Sequence, residues 1–159
     1  MALPMYGQNK DGGLLNHAGH GSIIAKSSFT LAASDSGSTV VVPGGYAADI
    51  TIKLPTPEAG MNFEFLFGGV AAETEDVIID SQSNSNYLSG GLTIHDTDAT
   101  TANAEILVAI APNGSTNSKM TLKDPSLGTW VKMVTDGTVW YCVGLIATVT
   151  ATAVVYADQ

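Results

Sequence analysis

From Ser27 to the end of the chain, apolar and polar side chains alternate in short runs broken by glycine, proline and asparagine. In DITIKLP, Ile50, Ile52 and Leu54 point one way while Thr51 and Lys53 point the other, the period of two that marks a strand with one buried face. NFEFLFGG repeats the pattern with Phe63, Phe65 and Phe67 against Glu64. STVVVPGG predicts a buried strand, Thr39 to Val42, stopped by Pro43, and SSFTLAASDSG a strand from Phe29 to Ala32 closed by Ser-Asp-Ser-Gly turn chemistry. Further strands are expected at Asp76–Asp80, around Leu92–His95, at Glu105–Pro112 and in SKMTLKD. The last segment, GLIATVTATAVVYADQ, reads as one strand with Thr148, Thr150 and Thr152 alternating against Val149, Ala151 and Ala153.

About ten short strands with turn residues between them, and no capped 3.6-residue stripe, predict an all-β fold: an antiparallel β-sandwich or a jelly-roll-like barrel. Gly-Gly pairs beginning at Gly12, Gly44, Gly68 and Gly90 are read as turns, because the sequence around them does not repeat. Ser81 to Asn103 is mostly polar and is expected to be a long connection of the kind that makes contacts.

TWVKMVTDGTVWYCVG, Thr129–Gly144, predicts a β-hairpin turning at Asp136-Gly137. A two-residue turn pairs Thr135 with Thr138, Met133 with Trp140 and Val131 with Cys142 on one face. Val134 then pairs with Val139, Lys132 with Tyr141 and Trp130 with Val143 on the other. Both faces carry large apolar groups, whereas a surface sheet ordinarily keeps one face polar. Trp140 falls among core partners. Trp130, Lys132, Val134, Val139 and Tyr141 are therefore the candidates for a subunit interface.

Residues 1–26 are expected to be an extended arm and residues 27–159 the β-sandwich body. The arm has no sustained periodicity, and a segment so rich in glycine cannot offset its backbone entropy alone. Leu3, Met5, Tyr6, Leu14 and Leu15 nevertheless make it more apolar than a solvated tail requires, which favours an arm that orders against a neighbour.

Composition narrows the function classes. All 6 basic residues are lysine, against 15 acidic ones, for a net charge of −9. A chain without the arginine fork and with this charge repels polyanions, so neither direct nucleic-acid nor membrane-surface binding is expected. No apolar run is long enough to span a bilayer. Cys142 is the single cysteine, lies within a strand and is expected to be a buried, inert thiol.

Candidate chemistry is thin. His17 and His20 have no second ligand pair nearby, and the His95-Asp96-Thr97-Asp98 run lacks the glycine and distal glutamate of a calcium loop. GHGSI and NGSTN place a serine after glycine outside any strand-turn-helix context, and no phosphate-binding glycine motif is present. Asp76 and Asp80 bracket one strand and are read as its solvated ends. No cofactor is expected, and no enzyme. Trp130, Trp140 and Tyr141 could stack on sugar rings, although the hairpin register places Trp140 in the core.

The runs SFTLAASDSGSTVVVPGG, ITIKLPTPEAGMNFEFLFGG, VIIDSQSNSNYLSGG and GTWVKMVTDGTVWYCVG together resemble small virion structural proteins of tailed bacteriophages, many of them cyanophages. The shared grammar falls on Thr30–Gly37, Leu54–Phe65 and Asp136–Trp140, and MALPMYGQNKDGG resembles the start of phage head decoration proteins. The resemblance implies a decoration, or cement, protein that binds the outside of the capsid and stabilises the shell. The implied partner is the major capsid protein of the same virion, and the implied state a homotrimer. Such a chain is made in the host cytoplasm and ends on the virion surface. The alternative is a receptor- or glycan-binding virion appendage, with Trp130, Tyr141 and the Ser81–Asn103 connection exposed.

Overall fold

Among the described residues the alternating segments become twelve strands: β1 (Ser22–Ile24), β2 (Phe29–Thr30), β3 (Thr39–Val42), β4 (Ile50–Lys53), β5 (Asn62–Phe67), β6 (Val77–Asp80), β7 (Leu88–Asp96), β8 (Leu107–Ile110), β9 (Lys119–Leu122), β10 (Trp130–Thr135), β11 (Trp140–Thr148) and β12 (Val154–Ala157). The structure, a computed structural model, describes residues 21–69, 74–96, 107–149 and 153–159. Two single-turn 3₁₀ segments, Ala33–Asp35 and Asn84–Asn86, are the helical pieces among them.

The strands form two sheets packed face to face, an all-β sandwich. One has seven strands in the order β1-β3-β5-β10-β11-β7-β8, the other five in the order β12-β9-β6-β4-β2. From β1 to β7, successive strands alternate between the sheets. A chain that crosses to the opposite layer and returns comes back running the same way, so same-sheet neighbours are parallel: β1 with β3, β3 with β5, β2 with β4, and β4 with β6. The sheets are therefore mixed, not antiparallel throughout as expected. The turns after β3, β4, β5 and β6 change layer instead of closing hairpins. Consecutive strands pair antiparallel only later, β7 with β8 and then β10 with β11 in a local hairpin.

The period of two sets the core. Phe63, Phe65, Val131, Met133, Trp140 and Cys142 of the larger sheet meet Ile50, Ile52, Val77, Ile79, Met120 and Leu122 of the smaller one, all of them buried. The Phe63 and Trp140 rings lie 5.9 Å apart at 39°, a tilted arrangement of the kind aromatic pairs favour.

Several sequence expectations are corrected. β1 is a sheet strand with Ala25 buried behind it, so residues 22–25 belong to the body and not to the arm. Within the described part of the long polar connection, residues 81–96, the strand expected around Leu92–His95 extends to the nine-residue β7, because parallel pairing with β11 satisfies its backbone whatever its side chains. Gly90 and Gly91 lie inside β7 and make no turn. A side chain at Gly90, where φ is +91°, would run into the Cys142 carbonyl of the neighbouring strand. The final segment is two strands in different sheets, β11 and β12, rather than one.

Candidate interaction surface

The hairpin loop decides which side chains reach the outer face. Asp136 Oδ1 accepts hydrogen bonds from the backbone N–H groups of Thr138 (2.8 Å) and Val139 (2.9 Å). Gly137 takes a φ of +103°, and its N–H donates to Thr135 Oγ1 at 3.0 Å. The loop thus holds Asp136–Val139, two residues more than a tight turn. The pairs become Thr135 with Trp140, Val134 with Tyr141, Met133 with Cys142, Lys132 with Val143 and Trp130 with Leu145. A slip of two residues leaves every strand side chain on its predicted face. Val139 is the exception. It ends the loop, is 8% exposed, and does not belong to the surface.

Trp130, Lys132, Val134 and Tyr141 do share the outer face of the seven-stranded sheet. Trp130, Val134 and Tyr141 are 38%, 39% and 46% exposed, and Val143 beside them is 55% exposed. The registers continue this surface in a row across five strands: Ile24 on β1, Val41 on β3, Leu66 on β5, Trp130 on β10 and Leu145 on β11. At the end of β3 and β5 the row opens into an apolar groove of about 420 Å³, lined mainly by Val41, Leu66, Leu127 and Trp130. Leu66 was legible in NFEFLF, on the side of Glu64. Val41 and Ile24 were not, because only the parallel register brings them level with Leu66.

The next row carries the charges. Glu64 faces Lys132 directly across β5 and β10, and Lys132 faces Val143 across β10 and β11. Among the described residues neither charged side chain is held in an ion pair. At the rim, Tyr141 Oη donates to Asp136 Oδ2 at 2.9 Å. The Val139 and Thr138 N–H groups, then the tyrosine hydroxyl, hold the Asp136 carboxyl below its ordinary range, and the same carboxylate pushes the Tyr141 phenol up.

The remaining candidates do not converge on a reaction. Cys142 is buried, donates to the Ser89 carbonyl at 3.1 Å, and burial pushes its thiol up to about 11. Asp80 is not a solvated strand end. It is 5% exposed and accepts from the Gln82 N–H at 2.7 Å and from the Gln159 side chain, and the strand between separates it from Asp76. Asp76 has its carboxyl raised first by burial and then by Asp49 and Asp124. His95 and Asp96 close β7. Ser115 of NGSTN sits in a turn where Asn113 Oδ1 accepts from three successive N–H groups. Among the described residues no group of three or more histidine, cysteine or acidic side chains is placed to hold a metal ion, and no helix is long and apolar enough to cross a membrane. His17, His20, Asp98 and the arm residues Leu3, Met5, Tyr6, Leu14 and Leu15 lie outside the described residues.

Comparison with known proteins returned no matching family model, curated protein or solved structure.

Proposed function

We propose that this chain is a structural, adhesive protein of a phage particle: a decoration or cement protein that binds the outside of the capsid and stabilises the shell. One observation supports this above the rest. A sandwich with an ample core of its own leaves the outer face of its larger sheet apolar from Ile24 to Leu145. Large exposed apolar patches mark contact surfaces, and covering what remains exposed of each of these half-buried side chains is worth roughly 0.7–1.5 kcal/mol, half the value for full burial. A protein that works by adhesion needs such a surface and needs no reacting groups.

In this reading copies of the chain associate into an oligomer, and residues 1–20 of each reach the major capsid protein. Several arms on one oligomer multiply weak contacts through effective concentration. The test is to incubate the purified chain with expanded heads and count bound copies. Stoichiometric occupancy of capsomers, lost on deletion of residues 1–20 while the circular dichroism spectrum stays unchanged, is the expected result. Absence of binding to heads, or binding indifferent to the deletion, overturns it.

A second reading rests on Trp130 and Tyr141, whose rings lie on one exposed face. In an appendage that recognises host glycans, that face would stack on sugars. Glycan binding without head binding would favour it.

A further inference from the structure

We infer that the occupant of the β5–β10–β11 face is a second copy of this chain, with Lys132 of one copy meeting Glu64 of the next. The inference rests on the reading of this face as a contact surface, though not on where in a particle the assembly sits.

The first argument is charge. The chain carries −9 overall, so two copies brought together at random repel. From β3 to β11, however, the outward residues are Thr39, Val41, Asn62, Glu64, Leu66, Trp130, Lys132, Val134, Tyr141, Val143 and Leu145. These strand residues contribute one negative and one positive group, and with the Asp136 carboxylate bonded to Tyr141 at the rim the face carries about one of the chain's nine excess negative charges.

The second is complementarity. The two charges are direct cross-strand neighbours, about 5 Å apart at their Cβ atoms, and among the described residues neither is engaged in an ion pair. A patch with its plus and minus side by side is complementary to itself: symmetric copies can place each lysine against a partner glutamate. A foreign partner would have to present the same pair in reverse by coincidence. On the Lys132 side, Trp130, Val134, Tyr141 and Val143 supply an apolar flank that would exclude water from the contact, while Glu64 is flanked by Thr39, Asn62 and Leu66.

The third is extent. Five strands of three to nine residues, at about 4.8 Å spacing and about 3.3 Å rise per residue, give a face of ~450 Å² in projection. Side-chain relief raises the accessible area toward the roughly 800 Å² per partner of stable complexes.

Sedimentation velocity on the full chain and two charge variants tests this. Wild type should sediment as an oligomer at micromolar concentration. Lys132→Glu and Glu64→Lys should each weaken association at least about tenfold with an unchanged circular dichroism spectrum, since both residues are exposed. An equimolar mixture of the two variants should reassociate, because one offers two negative groups where the other offers two positive. A monomeric wild type, single variants that assemble like wild type, or a mixture that stays dissociated would each overturn the inference. Head binding, measured separately, reports on the decoration role proposed above, so a chain that binds heads without self-association would sink this inference and the oligomer it shares with that reading, but leave the decoration role standing.

Discussion

Tyr141 Oη donates a 2.9 Å hydrogen bond to Asp136 Oδ2, and the other oxygen of that carboxylate takes two backbone N–H groups of its own loop. One side chain therefore sets the length of the hairpin loop and the orientation of an exposed aromatic ring on the contact face.

This carboxylate gives a pH dependence with a definite sign. Its folded value lies below its ordinary one, so its stabilising effect is fully present above the unfolded value, about 4, and is lost as pH falls through the lower folded value. In thermal melts from neutral pH to pH 2, Asp136→Asn should flatten the acid-side loss of Tm relative to wild type. Equal slopes for the two proteins would show that the loop bonds do not depend on the charge.

Cys142 should be silent in the native protein. With its thiol pushed up to about 11, only about one molecule in a thousand carries a thiolate at pH 8, and the sulfur is buried. A chromogenic disulfide reagent should leave it unmodified until denaturant is added. Stoichiometric labelling of the folded chain would contradict the burial.

Gly144 has no room for a methyl group. A Cβ there would overlap the Trp130 carbonyl and lie 2.9 Å from Val131 Cα, both backbone atoms of the partner strand. Gly144→Ala should destabilise the fold by about 3 kcal/mol, the upper part of the overpacking range, as read by the midpoint of urea unfolding. A shift under about 1 kcal/mol would mean that the hairpin strands separate more easily than their register suggests.

Asp80 ties the end of the chain to the smaller sheet. It accepts from Gln82 N, at a residue with φ +66°, and from the Gln159 side chain, while Gln159 N donates to Asn84 Oδ1 at 2.8 Å. Asp80→Ala leaves a strained N–H without its acceptor and should cost about 1–3 kcal/mol. Hydrogen exchange at Gln82 should accelerate with it. Unaltered exchange would assign the strain to the loop alone.

Much of the fold was legible because the side-chain period of a strand is a local property. The alternation in ITIKL, NFEFLF and WVKMVT states which residues face a core, and the structure keeps each of those faces. Trp130, Lys132, Val134 and Tyr141 were placed outward on that ground alone. Val139 was misassigned because a side-chain hydrogen bond, Asp136 to the Thr138 and Val139 amides, sets the loop length, and the dipeptide Asp-Gly is compatible with more than one loop.

What the chain determined by itself is the local alternation: an all-β body, its buried aromatic face, and an apolar excess on the opposite side of one hairpin. Only the tertiary structure decided that successive strands change layer, that their neighbours therefore run parallel, and that Ile24, Val41 and Leu66 stand in one row with Trp130. The reason is physical. A side chain's face follows from two adjacent residues, whereas strand order and register follow from which distant backbone groups satisfy one another, and alternation carries no mark of that partner.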